Sequence, residues 1–190
     1  MTYNPHLHHR RSIRLSHWDY AETGAYFITI CTLNREMLLG QIHTDRVLLN
    51  AAGRIVSDEW MLSVDIRTEL QLDAFVVMSN HFHAVAILFR DVGATGSSPL
   101  PRIPNGPTPR SLGALVAGFK IASTKRINEL RRTPGKAVWQ RNYYERILRN
   151  EKELERARGY ILGNPEVDRG RKQPCESGLP VLTASRLLSP

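Results

Sequence analysis

The chain has 190 residues, 42% of them hydrophobic and 23% charged, which fits one globular domain with a buried core and leaves little room for a second. Lys and Arg number 26 against 18 Asp and Glu. The resulting net charge of +8 and pI of about 9.9 favour a polyanionic partner, nucleic acid before a membrane surface. No apolar stretch is long enough to span a bilayer, and the N-terminus lacks the apolar segment of a secretion signal. We therefore expect a soluble cytoplasmic protein.

The first part of the chain predicts a basic arm, a strand and a helix. Residues 1–20 are rich in His and Arg and have no periodicity, so we expect a flexible arm before a domain that covers 21–165. A β-branched and aromatic run predicts a strand over 26–32. Apolar residues at helical spacing then predict a helix over 49–62, with Asn50 as its N-cap.

Two apolar segments follow, at 72–78 and 81–89, separated only by Ser79 and Asn80. This short polar break predicts a tight turn between two antiparallel strands. Residues 91–110 are rich in Gly, Ser and Pro, and the prolines prevent any regular element from passing through them. We expect a long flexible loop inside the domain.

The remainder predicts a helix, a strand and a final helix. Apolar residues at helical spacing predict a helix over 111–130, and the aromatic and apolar stretch 138–148 predicts a strand. Asn150, with Glu153 three residues later, matches a capping box and begins a third helix that ends near residue 164. From residue 166 to 190 no periodicity is sustained, and we expect a mobile tail.

The order strand, helix, strand, strand, helix, strand is that of the ferredoxin-like or RNA-recognition-like α+β fold. Such a fold has an antiparallel sheet with helices on one face. The third helix is additional to this arrangement, and we expect it to lie at the C-terminal end of the domain.

Two histidines open the second strand of the predicted hairpin. His81 and His83 are two residues apart, so on a strand they project from the same face while Phe82 points to the other. Two imidazoles on a rigid strand suit one divalent ion, although a third protein ligand is needed. An isolated His-X-His pair more often lies on an exposed sheet face without binding a metal. This pattern alone therefore does not distinguish a metal site from an exposed pair.

Several segments together resemble one enzyme family. The run AFVVMSNHFH at 74–83 resembles the His-hydrophobic-His signature of the HUH single-strand DNA nucleases, in particular single-tyrosine insertion-sequence transposases. VWQRNYYER at 138–146 and RNEKE at 149–153 resemble the REP-associated tyrosine transposases. With GAYFIT at 24–29 and the helix over 111–130, the resemblance covers roughly residues 10 to 165.

The choice of nucleophile lies between Tyr160 and the more conspicuous pair Tyr143 and Tyr144. The pair falls on a predicted strand, where one of the two side chains would pack inward, whereas Tyr160 shares a helix face with Asn164. The family carries its nucleophile in a Tyr-Ile-X-X-Asn-Pro segment, which YILGNP at 160–165 matches. The resemblance therefore implies Tyr160 as nucleophile.

The same resemblance implies that Asn164 is the third metal ligand beside His81 and His83. Two plainer interpretations stay open. Asn before Pro is also a common way to end a helix, and a tyrosine on an amphipathic helix is often a boundary residue with its hydroxyl in water.

The resemblance implies a Mg²⁺- or Mn²⁺-dependent endonuclease and strand transferase that acts on single-stranded DNA near hairpins through a 5′-phosphotyrosine. DNA binding would hold such a protein on the nucleoid, and a homodimer and a monomer both occur in the family. Basic and polar residues outside the apolar stripes are the candidate DNA contacts: Lys120, Arg126, Gln140, Arg141, Arg149 and Arg156.

Three rival functions stay open. The first is a non-catalytic nucleic-acid-binding module, because the same fold order and basic charge describe an RNA-recognition sheet, although its aromatic signature is missing. The second is a domesticated relative that binds hairpin DNA without moving it. The third is a metal-dependent hydrolase with no covalent intermediate. The chain also departs from the family after Pro165, where EVDRG at 166–170 and a poorly patterned tail replace a basic or aromatic stretch.

Overall fold

A computed structural model describes residues 23–43, 46–89 and 107–163. The predicted arm at 1–20, the tail at 166–190 and most of the predicted loop at 91–110 lie outside these ranges. Within them the chain forms strands and helices in the following order: β1 (Gly24–Cys31), β2 (Gly40–His43), β3 (Arg46–Leu49), α1 (Ala51–Met61), α2 (Ser63–Ile66), β4 (Leu70–Val77), β5 (His81–Leu88), α3 (Leu112–Arg131), β6 (Tyr144–Leu148) and α4 (Glu151–Leu162).

The main sheet has four strands in the order β4-β5-β1-β6, and every neighbouring pair in it is antiparallel. Along the chain, β1, α1, β4, β5, α3 and β6 follow one another as predicted. This order and pairing confirm the ferredoxin-like α+β fold. The added helix α4 follows β6, also as predicted.

Side-chain caps begin each of the three long helices at the predicted positions. Asn50 Oδ1 accepts the Gly53 N–H at 3.0 Å, and Ser111 Oγ accepts the Ala114 N–H at 3.3 Å. Asn150 Oδ1 accepts the Glu153 N–H at 3.0 Å before α4. In a capping box the Glu153 carboxylate would accept from the N–H of the cap residue, Asn150. Here it accepts instead from the N–H of Arg149, one residue earlier. Each cap satisfies a donor that the first helical turn leaves without a partner.

The sheet buries both of its faces, and each face packs against different helices. On one face lies the larger core, to which α1 contributes Val56 and Trp60 and α3 contributes Leu115 and Phe119. On the other face a smaller core joins the sheet to α4: Ala74, Val76, Met78, Val85, Leu148, Ala157 and Ile161. Since alternate residues of a strand point to opposite faces, His81 and His83 of β5 lie on the α4 face and Phe82 on the other.

The sequence did not predict the short hairpin of β2 and β3, which forms its own two-stranded sheet. Each strand has four residues, too few for an alternating pattern to stand out. Backbone contact explains one residue choice there. A Cβ atom on Gly40 would lie 2.5 Å from the Leu48 carbonyl oxygen, so only glycine fits this close approach.

The predicted strand over 138–148 is shorter in the structure, where β6 covers only Tyr144–Leu148. Trp139 makes a single bridge to Thr32. The carbonyl groups of Gln140, Arg141 and Asn142 then accept hydrogen bonds from Lys120 Nζ at 2.9, 3.4 and 3.0 Å. Carbonyls that converge on one ammonium group cannot continue a strand ladder, so the strand begins only after this turn.

None of the helices in the described ranges combines the length and the apolar character that a membrane crossing requires.

Candidate active site

The histidine pair lies at the start of β5, where its strand pairs with the end of β1. His81 is opposite Cys31 and His83 is opposite Thr29. The two imidazole centroids are 4.7 Å apart, and the ring planes are nearly perpendicular at 85°. Both side chains are buried, at 8% and 1% exposure. The spacing of two residues on a strand therefore does bring the two rings together on one face, as the sequence predicts.

Each imidazole has a hydrogen-bond partner at its Nδ1 atom. The His81 Nδ1 lies 2.6 Å from Asn80 Oδ1, and the His83 Nδ1 lies 2.6 Å from the Thr29 hydroxyl. An amide oxygen can only accept, so the ring hydrogen of His81 is on Nδ1 and the lone pair on Nε2. At His83 the Nε2 atom is buried and has no hydrogen-bond partner. A buried nitrogen in this state is costly unless a ligand completes it.

Burial also keeps both imidazoles neutral. It lowers the pKa of His81 to about 4, and the nearby Arg35 guanidinium adds to this effect. Burial likewise holds the pKa of His83 well below its usual value, and the neighbouring His81 acts in the same direction. The neutral imidazole is the form that binds a metal ion.

Helix α4 brings Tyr160 against His83. The Tyr160 and His83 ring centroids are 5.7 Å apart, with the planes close to perpendicular at 78°. Phe27 of β1 contacts both, with its ring stacked on His83 at 5.3 Å and edge-on to Tyr160 at 5.7 Å. Tyr160 thus contacts His83 from the helix that the sequence predicts.

One ion-pair cluster fastens α4 to the sheet two residues before Tyr160. Arg158 donates from Nε and Nη2 to both carboxylate oxygens of Asp73 on β4, at 2.6 to 3.2 Å. Asp73 lies where the pairing register of β4 with β5 shifts, between Leu72 and Phe75. Glu151 and Glu155 of α4 also accept from Arg158. The Arg158 hydrogen bond is the main reason that the pKa of Asp73 is lowered.

The donor set fits part of a divalent metal site. The neutral rings of His81 and His83 are adjacent, and the unpartnered His83 Nε2 is an atom that a metal would complete. A cluster of three or more His, Cys, Asp or Glu side chains suited to a metal does not occur within the described ranges. The predicted third ligand, Asn164, lies just beyond them. The structure therefore brings His81 and His83 together, and metal binding by these two residues and by Asn164 stays a prediction.

A cleft of about 330 Å³ opens beside Tyr160, between α4 and the sheet edge formed by β6. Its polar lining consists of phenol, guanidinium, hydroxyl and carboxylate groups: Thr29, Tyr144, Arg146, Glu153, Arg156 and Tyr160. Of the predicted DNA contacts, Arg156 is the one found here. The sequence did not predict Tyr144 and Arg146 as DNA contacts, although their spacing of two residues on one strand places them on a common face.

The other predicted DNA contacts lie away from this cleft. Lys120, Gln140 and Arg141 line a shallow groove of about 520 Å³ beside α3, together with Lys125 and Lys136. Burial lowers the pKa of Lys120 to about 8, and its ammonium bonds to backbone carbonyls inside the protein.

Arg126 and Arg149 are separate from both openings. Arg126 joins α3 to α1 through Glu59, at 2.7 Å, and Asp58, at 3.7 Å, on the face opposite the histidines. Arg149 is exposed just before α4. Trp139 is a core residue, since it is buried and its indole N–H donates to Ser123 Oγ at 3.0 Å.

No protein-family model matches the chain. An uncharacterized protein from Haemophilus influenzae is 37% identical over 170 residues, which cover 86% of this chain and 92% of that protein. Among solved structures, a REP-associated tyrosine transposase bound to a REP hairpin matches 78% of this chain and 70% of its own, with 17% identity and a TM-score of 0.49. A proposed transposase from Deinococcus radiodurans matches 79% of this chain and 95% of its own, with 18% identity and a TM-score of 0.38.

Proposed function

We propose that this chain, which belongs to the same family as the uncharacterized Haemophilus influenzae protein, is an enzyme that cleaves and rejoins single-stranded DNA with Tyr160 as nucleophile. One observation carries the proposal. The imidazoles of His81 and His83 on β5 have ring centroids 4.7 Å apart, and the Tyr160 ring of α4 lies 5.7 Å from that of His83, whose buried Nε2 has no hydrogen-bond partner. Such a constellation suits attack on a phosphodiester better than it suits a core.

In the cleavage step, the Tyr160 hydroxyl oxygen attacks the phosphorus atom in line with the bond to the 3′ oxygen. A phosphorus–oxygen bond to Tyr160 forms while the bond to the 3′ oxygen breaks. The phenol gives up its proton, and the leaving oxygen takes one up. The products are a 5′-phosphotyrosine and a free 3′-hydroxyl. Attack by another 3′-hydroxyl reverses these changes and joins new ends without ATP.

A phenol has a pKa near 10 and is a weak nucleophile at neutral pH. A Mg²⁺ or Mn²⁺ ion held by His81, His83 and Asn164 would supply the missing electrophilic activation, by offsetting charge on the phosphate oxygens. The chain's own part is to keep both imidazoles neutral, to orient them through Asn80 and Thr29, and to hold the Tyr160 ring against His83.

Single-stranded DNA that carries hairpins is the proposed substrate, on the basis of the motif resemblance and the net charge of +8. The rival RNA-recognition module reads bases on an open sheet face with aromatic side chains. Here α4 covers the face that holds Phe27 and the histidines, through Ala157 and Ile161. A covered sheet face argues for an enclosed reaction site over an open binding platform.

The test is to incubate the protein with labelled single strands from the DNA that flanks its gene, with and without Mg²⁺ or Mn²⁺. A denaturation-resistant protein–DNA adduct should form only with the metal, and Tyr160→Phe should abolish it. His81→Ala and His83→Ala should lose both the adduct and metal binding. Cleavage without an adduct would favour the hydrolase, and binding without cleavage would favour the non-catalytic module.

A further inference from the structure

The geometry points to a nucleotide-binding role for the cleft beside Tyr160. It binds one nucleotide next to the scissile phosphate, with the base stacked on Tyr144 and the phosphate groups bound by Arg146 and Arg156. This inference rests on the proposed function, since it concerns the strand on which the enzyme would act. It concerns side chains other than those proposed for catalysis, however, and a binding measurement without DNA cleavage can test it.

The strand register places the cleft directly beside the histidines. On the α4 face, Tyr144 of β6 is paired with Thr29 of β1, and Thr29 is paired with His83 of β5. The three residues therefore form one row across neighbouring strands, which are about 4.8 Å apart. Arg146 belongs to the adjacent row, opposite Phe27. A strand that reaches the histidines from the sheet edge would pass over Tyr144 and Arg146.

The charges of the cleft favour phosphate. Arg146 extends from the floor and Arg156 from the α4 side, and both are exposed. The acidic group in the lining is Glu153, whose carboxylate lies 3.7 Å from the Arg146 guanidinium. The Arg146 side chain is 58% exposed, and such a loose and solvated pair contributes little. A phosphate can replace Glu153 as the partner of Arg146 and form shorter, charge-assisted hydrogen bonds.

Tyr144 offers a base-stacking surface. It is 36% exposed, whereas the preceding Tyr143 packs against the core on the opposite face of the sheet. Stacking of a base on an aromatic ring, combined with Arg contacts to the backbone, is the general means by which proteins bind single strands without regard to sequence. A cleft of about 330 Å³ holds a nucleotide and is too small for a duplex.

We would measure the binding of a fluorescent oligothymidylate in EDTA, over a series of salt concentrations. Arg146→Gln and Arg156→Gln should each weaken binding severalfold and reduce the slope of log K against log salt by about 0.7, the contribution of one phosphate contact to a single strand. Tyr144→Ala should raise the Kd about tenfold through lost stacking, and Tyr144→Phe should bind as the wild type does. Glu153→Gln should bind more tightly.

The matched control is Arg132→Gln, which removes the same charge at the end of α3 and should leave the salt slope unchanged. The inference is overturned if Arg146→Gln, Arg156→Gln and Tyr144→Ala all bind as the wild type does, even when the covalent adduct forms. If these variants lose binding as expected but the wild type never forms an adduct, the cleft is supported and the proposed strand transfer fails.

Discussion

At the scale of single residues, the group that contacts Nδ1 of His83 explains why the Nε2 atom of the same ring has no hydrogen-bond partner. The Thr29 hydroxyl is 2.6 Å from Nδ1 and buried with it. When this hydroxyl accepts the Nδ1 hydrogen, the lone pair is on Nε2, where a metal can use it. Partners of this kind fix the tautomer and orientation of metal-binding histidines. We therefore infer that Thr29 positions the His83 imidazole.

Thr29→Val should weaken metal binding while Thr29→Ser should not. Valine has nearly the same shape but cannot bond to Nδ1, so we expect the dissociation constant for Mn²⁺ to rise about 10- to 100-fold. Calorimetric titration of the DNA-free protein measures this directly, and thermal unfolding checks that both variants are folded. Equal Mn²⁺ affinity in the valine variant and the wild type would rule out the positioning role.

Local periodicity explains which site residues could be predicted. His81 and His83 share a face because they are two apart on a strand, and the position of Tyr160 follows from one helix. Thr29, Tyr144 and Arg146 could not be placed in the same way. Which residues lie beside these three depends on how β1 pairs with β5 and β6. A shift of this pairing register by one residue would turn each side chain to the opposite face of the sheet.

At the scale of elements, the contact between α4 and β4 decides where Tyr160 lies. Arg158 is the charged link, because it bonds to Asp73 across 85 positions of sequence as well as to Glu151 and Glu155 within its own helix. The Asp73 side chain is 13% exposed, and that of Glu155 is 61% exposed. The Asp73 pair should therefore contribute to stability, while the Glu155 pair should contribute little.

We expect Asp73→Asn to lower the free energy of unfolding at neutral pH by about 1–2 kcal/mol, through loss of a charge-assisted hydrogen bond. Because the folded-state pKa of Asp73 lies below its ordinary value, this stabilisation is complete above the unfolded pKa and is lost as pH falls through the folded pKa. The two proteins should thus converge in strongly acidic buffer.

Urea unfolding at neutral and acidic pH measures the effect, with Glu155→Gln as the matched control that should stay within about 0.5 kcal/mol of the wild type. Asp73→Asn should also slow adduct formation, because the helix that it loosens carries Tyr160. If Asp73→Asn and Glu155→Gln lower the free energy of unfolding equally, the ion pair between Arg158 and Asp73 does not hold α4 in place.

The elements that sequence predicts well are those with strong local signals. α1, α3 and α4 each combine a side-chain cap with helical spacing of apolar residues, and the structure has all three. The start of β6 could not be predicted, because it is set by Lys120, which reaches across from α3 to the carbonyls of residues 140–142. Such a contact between distant segments leaves no periodic trace in the chain.

At the scale of the whole molecule, the two faces of the sheet carry different kinds of side chains. The face covered by α1 and α3 holds the larger apolar core around Trp60, Phe82 and Phe119. The face covered by α4 holds the histidines, Tyr160 and the cleft with its two exposed arginines. The +8 charge predicted a polyanionic partner but not its location, since its basic residues also line the groove beside α3.

If Tyr160 is the nucleophile, it becomes bonded to DNA, and identifying the modified residue tests this directly. We would trap the adduct on a hairpin-bearing strand with Mn²⁺, digest protein and DNA, and locate the remaining nucleotide by mass spectrometry. We expect a phosphotyrosine at Tyr160 alone. A nucleotide on Tyr144, the other phenol in the cleft lining, or on Tyr143 would contradict it.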